Sequence, residues 1–213
     1  MYDNGMTTRN LILDACRKLF YTKGYQETSF DDISRAAHVN RRSIYYHFKD
    51  KELLRYEVTW DTFIRNRNLA KQYCPEEKLQ ELLSLYMLWH QCMNLPGVGR
   101  FHAVYSRDCP VYDLHSGLPM FYRTVYAHIF GDQWAMDSIS PLAYATVYGH
   151  LMGMMQLVAE HPENYCAKDV FMHGITTCAT IWGMPEKAVA PLWEKLCVYM
   201  EQIPVEEIEA VIL

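Results

Sequence analysis

The chain has 213 residues, 50% of them apolar and 14% aromatic, enough for one large core or for a small domain joined to a larger one, at a net charge of −5. Seven cysteines, odd in number, scattered and without a CxxC pair, argue against a disulfide framework or a zinc site and suit reduced thiols in a cytoplasmic protein. No N-terminal stretch combines a basic start, an apolar run and a small-residue cleavage site, so no secretory leader is expected.

The charge is unevenly shared. Residues 1–73 carry 13 Lys+Arg against 9 Asp+Glu, a balance of +4, and residues 74–213 carry 7 against 16, a balance of −9. A basic end on an acidic body is the polarity of a protein that meets a polyanion at one end only.

In chain order, Thr7 or Thr8 can cap a first helix, along which Ile12, Ala15, Cys16, Leu19 and Phe20 follow at helical spacing until Gly24 ends it. Ser29 with Asp32 three residues on reads as a capping box opening a second helix, whose Ile33, Ala36 and Ala37 form a small apolar face. A turn falls at His38, Val39 fills the angle, and a third helix starts at Asn40 or Arg41 and runs through Phe48. Ile44 and Phe48 point inward at i, i+4. That leaves Arg41, Arg42, Ser43, Tyr45, Tyr46 and His47 outward, and no acid occurs from Val39 through Lys49. Solvated helix faces usually mix acids with bases; this one suits phosphates and base edges.

Asp50 caps a fourth helix reaching about Tyr73, with Lys51 in its first turn, and Pro75 marks a boundary. The expected organisation is all-α: a helix-turn-helix domain over residues 1–54, a connecting helix over about 50–73, and a helical body over 74–213. Residues 76–94 are apolar all round, as befits the centre of a bundle. Residues 95–119 are broken by Pro and Gly, with a short helix near 98–107. Further helices are expected at 118–131, 140–161, 167–182 and from Glu186 to about Gln202, and the tail VEEIEAVIL reads as a short amphipathic cap or a frayed end.

Ser140 to Ala159 holds no charged residue, but its polar punctuation and missing basic flank favour a helix buried on most sides over a membrane span. Ala145, Gly149 and Gly153, with Gly174 and Cys178 on the next helix, form small-residue stripes that would let helices of two subunits approach closely.

From Leu11 through Leu54 the sequence resembles the TetR family of one-component transcriptional regulators. The likeness is carried by Phe20–Gly24–Tyr25, Thr28, Ile33–Ala36–Ala37, Val39, Ser43–Ile44–Tyr45–Tyr46–His47–Phe48 and Lys51–Glu52–Leu53–Leu54. Two positions depart from the family's habit. His38 stands where the turn usually has Gly, at about 1 kcal/mol of strain, and Arg42 stands where the residue is often small. The resemblance implies an N-terminal three-helix DNA-binding domain, followed by an effector-binding and dimerisation bundle.

It further implies a repressor released from a palindromic operator by a small molecule, or else an activator or co-regulator acting through another protein. Arg41 and Arg42 would read guanine edges or pair with phosphates. Asn40, Ser43, Tyr45, Tyr46 and His47 would touch bases and backbone, while Lys51 and the helix start at Ser29 would set register. The body's many aromatics and few charges suit an apolar or aromatic effector, with Trp89, His90, Arg100, His102, Tyr105, Tyr122, Tyr126 and Met154 as candidate liners. No cofactor, metal or membrane is expected. Nor is catalysis, since no nucleophile elbow, P-loop, dinucleotide fingerprint or HExxH occurs.

Overall fold

The computed structural model describes residues 3–108, 117–130 and 140–212. Cys109, Pro110 and the rest of 109–116 lie outside them, as do 131–139. In chain order the helices are α1 (Asp3–Thr22), α2 (Phe30–Ala36), α3 (Arg41–His47), α4 (Lys51–Tyr73), α5 (Glu77–Asn94) and α6 (Pro96–Asp108). After these come α7 (Gly117–Phe130), α8 (Pro141–Glu160), a 3-10 turn at Pro162–Asn164, α9 (Ala167–Ile181), α10 (Glu186–Gln202) and α11 (Val205–Ala210). No strand occurs among the described residues. Two compact units divide the chain, Met1–Thr62 and Phe63–Leu213, with the boundary inside α4.

The first unit closes around Ile12, Cys16, Phe20, Ile33, Ala37, Ile44, Phe48, Leu54 and Val58, all buried. Polar contacts tie α1 to α4 at its edge. Arg17, almost wholly buried, pairs with Asp14 at 2.9 Å and Asp61 at 2.7 Å, and Tyr21 Oη shares a 2.7 Å hydrogen bond with Thr62 Oγ1. Arg9 pairs with Glu57 at 2.6 Å. A buried guanidinium is tolerable only with carboxylates of this kind beside it.

Two local expectations need correction. Helix α1 begins at Asp3, so Thr7 and Thr8 lie within it and do not cap it. Ala36 is exposed; the short α2 packs along the Ile33–Ala37 line, and Ala36 lies about 60° round the helix from Ile33 on the other side.

The second unit is organised on α5, every residue of which from Leu79 to Met93 is buried. An aromatic core lies beside it: Phe63 meets Phe121 edge-on at 5.4 Å, Tyr122 stacks on Tyr126 at 6.0 Å, and Tyr126 meets Trp182 at 5.0 Å. Contrary to expectation, α8 is not buried on most sides. It buries Tyr144, Val147, Tyr148, Leu151, Met152, Met155 and Val158 on one face and leaves Leu142, Ala145, Thr146, Gly149, Gly153 and Leu157 exposed. No helix among the described residues is long and apolar enough to cross a membrane. The tail is ordered as α11, with Ile208 and Ile212 buried.

Candidate nucleic-acid interface

The sequence fixes α2 and α3 by caps rather than by length, since seven-residue helices do not persist alone. At α2, Ser29 Oγ accepts from Asp32 N at 3.1 Å while Asp32 Oδ2 accepts from Ser29 N at 2.8 Å, the reciprocal capping box. Asp32 also receives Lys23 at 2.6 Å and Arg35 at 2.7 Å. The Lys23 ammonium first, then the Ser29 hydroxyl and amide, hold its carboxyl well below the usual carboxylate range.

The turn after Ala37 passes through His38 at φ 53°, a left-handed conformation that histidine tolerates. It is closed by Val39 N donating to Ser34 O at 3.1 Å and Ser34 Oγ donating to Val39 O at 2.5 Å. At α3, Asn40 Oδ1 accepts from Ser43 N at 2.8 Å and from Ser43 Oγ at 3.2 Å. Asn40 and Ser43 are thereby occupied in holding the helix start.

Ile44 and Phe48 anchor α3 in the core, at 0% and 1% exposure. The opposite face carries Arg41, Arg42, Tyr45 and Tyr46, all exposed, with Ser43 and His47 half-buried at its edges. Tyr46 is 85% exposed, its ring edge-on to His47 at 5.1 Å. Tyr45 is half covered because its ring lies against Phe30 of α2 at 4.8 Å. Arg41 is already engaged: it bonds the Tyr45 hydroxyl and stands 3.4 Å from Asp31, and these two raise its pKa in that order. Arg42 pairs with no carboxylate among the described residues and is the readier cation for a polyanion.

Lys51 sits differently from the α3 cations. It is half-buried, its ammonium 4.3 Å from the centre of the Tyr25 ring and 3.4 Å from the Gln26 carbonyl, and burial lowers its pKa. Contact with a phosphate would require it to leave that seat. Lys49, exposed just after α3, and Arg35, 78% exposed on α2, are two cations the sequence reading passed over. The acid-free run ending at Lys49 was the signal for the first.

In the second unit the candidate effector liners separate into three places. Trp89, His90, His102, Tyr105, Tyr122 and Tyr126 are buried. Arg100 instead lines a groove of about 260 Å³ between α6 and α8, with Arg107 and Glu160, and Met154 lines another of about 370 Å³ between α8 and α9, with Leu157, Cys166 and His173. The described residues do not bring the eight into one cavity. His102 is the most unusual of the set. Its Nε2 has no hydrogen-bond partner, and burial pushes its pKa down to about 3.

The small-residue stripes also divide. Around Gly149 and Gly153 no atom comes within 4 Å of where a Cβ would stand, so both face open space on α8, as Ala145 does. Gly174 and Cys178 are buried, Gly174 against Met154 and Leu151 and Cys178 beside Tyr126. Those two serve packing within the chain and offer no surface to a second copy.

Residues 12–58 match the family model described as bacterial regulatory proteins, tetR family. Over that segment the chain is similar to the TetR family. Its TetR-type segment is 46% identical over 54 residues to the HTH-type transcriptional regulator AcrR of Shigella flexneri, a stretch covering 25% of each protein. It is 41% identical over 44 residues to the biofilm operon negative transcriptional regulator IcaR of Staphylococcus epidermidis, 21% of this chain and 24% of that one. The chain thus matches only about a quarter of the length of these curated relatives. A TetR-family transcriptional regulator from Pectobacterium atrosepticum shares the fold, at TM-score 0.50 and 19% identity over 85% of this chain and 95% of that one.

Proposed function

We propose that the protein is a transcriptional regulator that binds duplex DNA through α3 and is released by a small apolar or aromatic effector. The observation that carries this reading is α3 itself: a capped helix, anchored by Ile44 and Phe48, whose outer face offers Arg41, Arg42 and Tyr46 with no acid of its own. Arg42 and the arginine released from Asp31 have the planar fork that matches guanine O6/N7 or a phosphate, and Tyr46 can reach the backbone or a thymine methyl. Ser29, at the start of α2, and Lys51 would set register on phosphates. AcrR and IcaR, similar across this segment, carry names that say transcriptional regulator, and for IcaR a negative one. On that likeness the protein would act as a repressor.

A homodimer on a palindromic operator in the cytoplasm completes the reading, with Ala145, Gly149 and Gly153 of α8 as the seam where two helices approach. The effector would enter the aromatic interior near His102, Tyr105, Tyr122 and Tyr126. His102, neutral and unpartnered, would give a hydrogen bond to a ligand whose remaining surface is apolar.

The deciding experiment is titration of duplex DNA from the protein's own upstream region at several salt concentrations. A steep loss of affinity with salt is expected. Absence of salt-sensitive binding to any such duplex would reject the reading.

A further inference from the structure

Inside the second unit, Asn66 of α4 and Gln91 of α5 are both fully buried and face each other as a closed pair of amides. Asn66 Nδ2 donates to Gln91 Oε1 at 2.9 Å, and Gln91 Nε2 donates back to Asn66 Oδ1 at 2.8 Å. The remaining hydrogen of Gln91 Nε2 goes to the backbone carbonyl of Ile208, in α11, at 2.7 Å. Asn66 Nδ2 also points to Ser84 O at 3.4 Å. Only one orientation of each amide satisfies this set, so the pair fixes how α4 is turned against α5. The C-terminal helix supplies the acceptor that completes it.

Three further contacts bind the same tail. Tyr73, the last residue of α4, hydrogen-bonds the Glu207 carboxylate; His90 Nε2 stands 3.4 Å from Glu209; and Ile208 and Ile212 are buried. Yet α11 has only six residues, exposes Val205, Glu206 and Glu207, and is far too short to persist as a helix unless docked. Its helix thus depends on the seat that the body provides. Release would leave Gln91 in a dry site with one donor unanswered, at a cost borne by α4.

We propose that α11 is a latch on α4: seated, it holds the Asn66–Tyr73 stretch in one rotational setting, and released, it lets that stretch turn. Helix α4 is continuous from Lys51, and its Leu54 and Val58 lie in the core of the first unit. If the proposed function holds, the latch is expected to change how tightly the protein holds DNA. This last step rests on the proposed function; the hold on α4 does not.

The test uses Ile208→Asp in the full chain, which unseats α11 with a buried charge, and Gln91→Met, which keeps the volume but removes the amide. Val205→Asp, on the exposed side of α11, is the control. Hydrogen exchange of residues 66–73 should quicken by at least about tenfold in both variants while α8 and α9 keep their protection, and Val205→Asp should match the wild type. Affinity for the upstream duplex should shift by more than about threefold in the same two variants.

Unchanged exchange over 66–73 with α11 released would overturn the latch, as would equal loss of protection throughout the second unit, which would make α11 ordinary core. Loosened α4 with unaltered DNA affinity would overturn its regulatory role. A wild type that binds no duplex would sink the proposed function instead, and the exchange measurement would still decide whether α11 holds α4.

Discussion

The two units of this protein are held together by different means. In the first, a small apolar core is supplemented by polar contacts between near neighbours: the Ser29–Asp32 box, the Asn40–Ser43 cap, the Ser34–Val39 closure of the turn and the Lys23 and Arg35 pairs on Asp32. In the second, the work is done by apolar side chains far apart in sequence, Phe63 on Phe121 and Tyr126 on Trp182, around a helix buried on every side. Local polar contacts leave a characteristic spelling in the chain, because only a few residue types can make each one. Apolar packing does not, since many aromatic and aliphatic combinations fill the same volume. The contrast also predicts where each unit is vulnerable.

The largest effect should come from Phe48→Ala. It empties a site that is 1% exposed and anchors α3, and should cost the first unit about 3–5 kcal/mol in urea unfolding. Tyr46→Ala, at an 85% exposed site of the same helix, should leave stability within about 0.5 kcal/mol while weakening DNA binding. Equal destabilisation by both would mean that α3 is not anchored on one face only.

For the second unit the sharper probe is pH. Burial depresses the His102 pKa from 6.5 to about 3, so the stability of the neutral, folded form is complete above pH 6.5 and drains away as pH falls from there towards 3, where the unfolded chain gains a proton that the folded one refuses. Between about pH 7.5 and pH 5 the wild type should lose about 2 kcal/mol on this account. His102→Phe should lose correspondingly less over that span. Identical pH dependence of the two proteins would show that the imidazole is not sealed.

On DNA, Arg41→Ala should cost about 1–3 kcal/mol of specific binding and relax sequence preference, whereas Lys51→Ala should weaken all duplexes alike. Because Arg41 is already tied to Asp31 and Tyr45, its loss should matter less than the loss of Arg42, and competition assays with specific and random duplexes will rank the two. The smallest change expected is from Ser29→Ala, about 1 kcal/mol of stability through loss of one half of the capping box.

Legibility followed the same division. The capping box of α2, the turn at His38 and the Ile44 and Phe48 anchors could be read from the chain, because Ser with Asp at a fixed offset has few other uses there. The start of α3 stayed open between Asn40 and Arg41, and the fold makes Asn40 its cap and ends the helix at His47. Even so, Ala36 was misplaced, since a small residue is tolerated on either side of a short helix. The body's helices were legible through their periodicity, and so was the burial of α5. What the sequence hid was the role of small residues: Gly149 and Gly174 look alike in the chain, yet one faces open space and the other packs against Met154 and Leu151. Nor did charge reveal partners. Arg41 reads as a free cation, and only the fold brings Asp31 of the preceding helix within 3.4 Å.

The turn at His38 has a consequence for how such a corner can vary. Its φ of 53° costs an L-residue about 1 kcal/mol that glycine would escape. Glycine, however, gives the denatured chain more freedom, and forfeits about 0.4–1 kcal/mol in doing so. The two effects nearly cancel, so His38→Gly should be close to neutral for stability. The side chain at that corner is exposed, so what restricts the position is the left-handed backbone, which glycine and a few residues such as histidine accept.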